Sequence, residues 1–195
     1  MRLGKIVKSN SHNDYVCQID GTGEVPEHPE AEDYAFGAFT RISLEKPGHH
    51  LVGLIYSTIL MNPEFGTLGP RLSSSAELEV FSPDYLNEQA TLVGIIAIGQ
   101  KGPDGSVTQG VPRLATSVNA VVDTLDRESI RSFHQQGNHL SLDYLPLLLA
   151  QGDPLVRHLL LNVVDQMTDI FPEHQRQLAV IRSNLAWKVS VTPAG

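Results

Sequence analysis

Asp126 divides the chain between two hydrophobic grammars. Upstream, the apolar residues come in eight short runs rich in Val and Ile: GKIV, YVCQI, AFTRISL, HLVGLIYSTIL, SAELEVF, TLVGIIAIG, VPRLATSV and AVVDTL. Gly, Pro, Asn and Asp separate them, and runs of this length with this punctuation read as strands. Eight strands within residues 1–125 predict a barrel or a sandwich. Asp104-Gly105 supplies the positive φ of a tight turn, so TLVGIIAIG and the run after it are expected to form a hairpin.

Downstream, the spacing turns helical. Asp126 is positioned to cap a helix through ESIRSFHQQ with Gly137 as its stop, and Asp143 to cap YLPLLLAQ, which Gly152 ends. Asp153-Pro154 is the strongest helix start in the chain, a capping residue directly before a first-turn proline. Leu155, Leu159, Val163, Met167 and Ile170 then recur at helical spacing until Pro172, with Val156, Leu160, Leu161 and Val164 widening the stripe. So broad an apolar face is expected to be buried in its own domain, or else to meet a partner. A further helix is predicted from about Glu173 to Ala186, with Leu178, Ile181 and Leu185 on one stripe. In WKVSV, Trp187, Val189 and Val191 alternate with polar residues, which predicts a closing strand that returns to the barrel or to a sheet edge. The expected fold is therefore α+β: an antiparallel β-barrel of about six strands over residues 1–125, then a helical C-terminal region with a final strand over residues 126–195.

Composition narrows the setting. A chain of 195 residues, 41% apolar and 18% charged, is long enough to bury a core without staples. Residues 1–125 hold 8 basic and 15 acidic side chains, and the whole chain carries a net charge of -8. Nucleic-acid binding rests on Lys and Arg neutralising phosphates, so direct binding of DNA or RNA is not expected. Arg157, His158, Arg176 and Arg182 are read as solvated helix surface. The acidic, proline-bearing stretch DGTGEVPEHPEAEDYAFG is expected to be a long exposed loop. The lone cysteine, Cys17, lies in an apolar run and suits a reducing cytoplasm. No apolar block of a signal peptide or membrane span is seen, so neither export nor membrane insertion is expected.

The motifs that carry chemistry are missing. No GxxxxGK[ST] is present; GTGE at 21–24 lies in the acidic loop, and FGTLGPR at 65–71 ends in Pro-Arg and reads as a turn between strands. The eight histidines form no HExxH, and His49-His50, His134, His139, His158 and His174 lack a shared ligand spacing. GxSxG is absent, Ser73-Ser74-Ser75 reads as a loop or strand entry, and the acidic loop lacks DxDxDG. No catalytic residue, cofactor site or metal site is expected. The alternative is a small-molecule binder or enzyme with a dispersed pocket between barrel and helices, for which Arg41, Tyr56, Arg71, Arg113 and His134 are the candidate lining.

MRLGKIVKSNSHNDYVCQI, then AFGAFTRISL, then HHLVGLIYSTIL resembles the HAS-barrel, the N-terminal barrel shared by HerA-type DNA translocases and rotary ATP synthase subunits. The matching features are the opening Gly-x-Ile/Val-Val strand at Gly4 to Val7, the strand within Phe36 to Leu44, Val52-Gly53-Leu54-Ile55, and ATLVGIIAIGQ. The resemblance covers roughly residues 1–125 and implies a barrel that assembles side by side into a ring or docks a partner. In the translocases that barrel leads into a P-loop ATPase domain, whereas here it leads into helices, so ATP hydrolysis does not carry over. The expectation is a non-enzymatic oligomerisation or adaptor module, self-associating or seated on a separate HerA-like P-loop ATPase.

Overall fold

The computed structural model describes residues 1–21, 25–62 and 90–191. Seven strands form one antiparallel sheet: β1 (Arg2–Ser9), β2 (Asp14–Ile19), β3 (Phe39–Ser43), β4 (His50–Met61), β5 (Ala90–Lys101), β6 (Val107–Gln109) and β7 (Val121–Thr124). The order β2-β1-β7-β3-β4-β5 closes on itself because β2 also pairs with β5, Cys17 opposite Val93 and Asp14 opposite Ile96. Six strands therefore make a closed barrel, and β6 is an extra strand on β5. The β1–β2 pair approaches closely at Gly4, where a Cβ would lie 1.8 Å from the Gln18 carbonyl oxygen. No larger residue keeps that register.

Six of the eight apolar runs supply the barrel strands. SAELEVF lies outside the described residues, as do residues 22–24 of the GTGE cluster, FGTLGPR, Arg71 and the three consecutive serines. The GPDG turn forms as expected: Gly105 sits at φ +80°, and Asp104 Oδ1 accepts from the Ser106 amide and hydroxyl. The strand it introduces, however, is the short β6. VPRLATSV is irregular rather than a strand. Pro112 has no amide to give a ladder, and its carbonyl instead meets His12 Nε2 at 2.8 Å. The Arg113 amide donates to the Gln100 side chain and the Thr116 hydroxyl to the Ser43 carbonyl.

The helical part comprises α1 (Arg127–His134), a small hairpin of β8 (Gln135–Gln136) and β9 (His139–Leu140), α2 (Leu145–Leu149), α3 (Pro154–Ile170), a 3-10 turn (Pro172–His174) and α4 (Gln175–Val191). Asp126 and Asp153 cap α1 and α3, accepting from the Ser129 and Leu155 amides at 2.7 and 2.8 Å. Two expected boundaries shift. The α1 helix stops at His134 because Gln135-Gln136 pair with His139-Leu140 around Gly137 at φ +60°. Asp143 does not cap α2: the helix begins one residue later, with Tyr144 at the cap position and no side-chain cap, and the Asp143 amide donates to Gln109 Oε1 at 2.8 Å.

The closing strand is the larger correction: Trp187–Val191 continues α4 as helix. The β2–β5 pairing closes the barrel, so no gap is left between its strands for a returning strand to fill. Extending a helix already several turns long adds one hydrogen bond per residue without a new nucleus.

Two apolar layers result. The barrel interior is filled by Leu3, Ile6, Tyr15, Cys17, Ile42, Leu51, Ile55, Val93, Ile95, Ala97 and Val122. On the outer wall, Phe39, Val52, Leu54, Ile96 and Ile98 meet Phe133, Tyr144, Leu148, Leu159, Leu160, Val163 and Met167 from the helices. Residues 51–55 of β4 and 93–99 of β5 are thus buried on both faces, which is why they read as continuous apolar runs. The broad face of α3 is spent inside this fold. Among the described residues no helix is long and apolar enough to cross a membrane.

Candidate functional site

A cleft of about 310 Å³ opens where the β1–β2 turn and the barrel wall meet the start of α3. Ile96, Leu148, Val156 and Leu159 form its apolar floor, and Ser11, Asn13, Asp14, Tyr56, Gln151 and Asp153 its polar mouth. Each polar group is placed by a local feature. Asp14 begins β2, and its two carboxylate oxygens accept from the Tyr56 hydroxyl at 2.8 Å and the Asn10 amide group at 3.2 Å. Gly152 at φ +75° turns the chain out of α2, which leaves Asp153 at the head of α3.

Tyr56 owes its position to a bulge. The register between β4 and β5 shifts from Ile55 opposite Ile95 to Ser57 opposite Gly94, so Tyr56 is the extra residue. Bulges re-aim side chains. Here the ring lies over Gly94, where a Cβ would come within 2.8 Å of Tyr56 Cζ. Burial pushes the phenol up to about 12, helped by its hydrogen bond to Asp14 and by the Asp14 and Asp153 charges. A phenol held this way keeps its proton at neutral pH. The Tyr56–Asp14 pair is a fixed hydrogen bond suited to holding a ligand rather than to transferring a proton.

Of the five residues expected to line a pocket, only Tyr56 reaches this cleft. Arg41 lies on the exposed wall, paired with Asp123 at 2.9 Å. Arg113 is exposed beyond β6, and Arg71 lies outside the described residues. His134 is fully buried in the helix-side core, between the Ile130 carbonyl at Nδ1 and the Tyr144 hydroxyl at Nε2. The carbonyl accepts only, so Nδ1 carries the proton and Nε2 accepts from Tyr144. Phe39, Phe133 and Tyr144 surround it edge-on, and burial lowers its pKa to about 4. It is a neutral core histidine.

Asp14, Asn13 and Asp153 were not singled out as a site from sequence. Asp153 was legible as a cap, but nothing local announces that it shares a cleft with Asp14. Elsewhere, Arg182 pairs with Asp165 at 2.6 Å. Among the described residues no group of three or more His, Cys, Asp and Glu side chains is arranged to hold a metal.

A family model, "Domain of unknown function (DUF8166)", matches residues 1–194. The chain belongs to the DUF8166 family. The DUF8166 match takes in barrel, cleft and helices together, so the cleft is built wholly from elements within it. No curated protein matches the chain.

Proposed function

We propose that the protein is a non-enzymatic assembly module for a HerA-like P-loop DNA translocase, working in the cytoplasm as a homo-oligomer or seated on a separate ATPase. The observation that supports this reading is the closed barrel, six antiparallel strands joined into a ring by the β2–β5 pairing, which is the architecture the HAS-barrel resemblance implies.

Closure also limits how such a module would assemble. Among the described residues closure leaves little barrel edge for a neighbour to extend, chiefly the end of β4 past Ile55, which is paired with β5 on one side only. With the outer wall of β3–β5 covered by helices up to about Ile55 of β4, the surface left for a neighbour includes the wall of β1, β2 and β7, where Lys5, Val7, Gln18 and Asp123 lie. That wall is mostly polar, so the association is expected to weaken with salt. Co-purification and light scattering test the reading. Recovery with a P-loop ATPase, or as a ring, supports it; a lone monomer with no ATPase overturns it.

The cleft favours a second reading. A volume of about 310 Å³ with an apolar floor and a few converging polar groups fits a small-molecule binder whose pocket lies between barrel and helices.

A further inference from the structure

The cleft has a charge character that narrows what it would hold, an argument that rests on the binder reading just given. Its mouth carries two carboxylates, Asp14 and Asp153, and none of its described lining residues is basic. The Tyr56 proton is already donated to Asp14, so the phenol offers no free donor to an incoming group. An anion would meet like charge without a compensating cation. A neutral polar molecule would gain the acceptors but not the field.

Below the mouth the character changes. Ile96, Leu148 and Leu159 are almost wholly buried, and Val156 is half-buried beside them, so the floor offers aliphatic carbon and no polar partner. A ligand matched to both levels has an apolar chain for the floor and a positive head for the mouth. The head must be a hydrogen-bond donor, because the two carboxylates at the rim accept only.

From the juxtaposition of the Asp14–Tyr56 pair and Asp153 over the Ile96, Leu148 and Leu159 floor, we infer that the cleft is a binding site for a small aliphatic ammonium, head at the mouth and chain on the floor. Chain burial supplies most of the binding, and the carboxylates supply the choice of charge.

Three ligands of one chain length test this on the full chain: hexylamine, hexanol and hexanoate, titrated while the methyl signals of Ile96, Leu148 and Leu159 are followed by NMR. Hexylammonium is expected to saturate and to shift those methyls, binding at least about tenfold more tightly than hexanoate. D14N and D153N keep the Tyr56 acceptor and the helix cap respectively, so both are expected to fold; together they should weaken hexylammonium by about tenfold. If hexanol or hexanoate binds as tightly as the amine, or the double variant binds it unchanged, the ammonium assignment is overturned and the binder reading stands. If none of the three moves the cleft methyls, both fall.

Discussion

The two apolar layers share strands β4 and β5 but are held in place by different means. The barrel interior is almost all aliphatic and is enclosed by backbone ladders that close on themselves. The helical layer is pinned by a few polar side chains. Gln109 Nε2 donates to the Phe133 and Ser141 carbonyls, while its Oε1 accepts from the Ser141 hydroxyl and the Asp143 amide. Arg127 and Arg131 donate to the Asp169 and Ile170 carbonyls at the end of α3, and Arg131 also lies over the Phe171 ring and pairs with Glu173. The contrast teaches that closure spreads positional control over the whole barrel, whereas the helices depend on particular residues at particular points.

The sharpest test uses neighbours that face opposite layers. Ile55 points into the barrel and Leu54 into the helical layer, and both are fully buried. Ile55→Ala and Leu54→Ala are each expected to cost about 3 kcal/mol in urea unfolding. They should differ in hydrogen exchange: Ile55→Ala speeds the barrel and the helices together, while Leu54→Ala speeds α2, α3 and α4 before β1 and β2. Equal acceleration of β1 and β2 by Leu54→Ala would show the layers to be one cooperative unit.

His134 comes next. Its folded pKa of about 4 lies below the ordinary 6.5, so well above pH 6.5 it is neutral in both states and contributes no pH dependence. Between about pH 6.5 and 4 the unfolded chain takes up a proton that the native state refuses, and stability falls as the pH falls. The full loss is on the order of 3 kcal/mol, the linkage cost of lowering the ring from 6.5 to about 4. His50, also lowered to about 4 by burial and by the nearby Arg41 and Lys101, adds in the same direction. The difference between wild type and His134→Gln therefore isolates the buried ring. Superimposable urea midpoints across that pH range would refute its buried neutral state.

Removing the Gln109 clip is a smaller change. Gln109→Ala leaves two carbonyls, a hydroxyl and an amide without their partner and is expected to cost about 2 kcal/mol. The loss should concentrate in α1, the β8–β9 hairpin and α2, read again by hydrogen exchange. A loss spread evenly into the barrel would remove the distinction between the layers.

Legibility followed locality. The barrel strands were visible because each run is short, β-branched and bounded by turn residues, and the Asp126 and Asp153 caps because a cap is completed within three residues. Two-sided burial hid the orientation of β4 and β5, since with apolar residues on both faces there is no alternation to assign a face. The WKVSV alternation spans only five residues, too few to outweigh a helix already running into it. The cleft was hidden for a different reason. Tyr56 was flagged by residue type alone, whereas its placement comes from a bulge opposite Gly94, and Asp14 and Asp153 meet only through the packing of α3 on the barrel. His134 and Arg41 carry the same chemical promise in sequence as Tyr56, yet tertiary context spends one in the core and the other on an ion pair.

The smallest expected effect joins the helical layer to the cleft, because Asp153 serves both. Its Oδ1 holds the Leu155 amide, a bond that ends one orphan donor at the start of α3, and its charge sits at the cleft mouth. Asp153→Ala loses both roles and is expected to cost about 1 kcal/mol, whereas Asp153→Asn caps nearly as well and should leave stability almost unchanged. The pair of variants thus separates geometry from charge at one position. If Asp153→Asn destabilises as much as Asp153→Ala, then charge against the α3 dipole, not the cap hydrogen bond, fixes this end of the helix. In that case the carboxylate at the mouth is there for the fold, and its suitability for a cation is a consequence of helix packing.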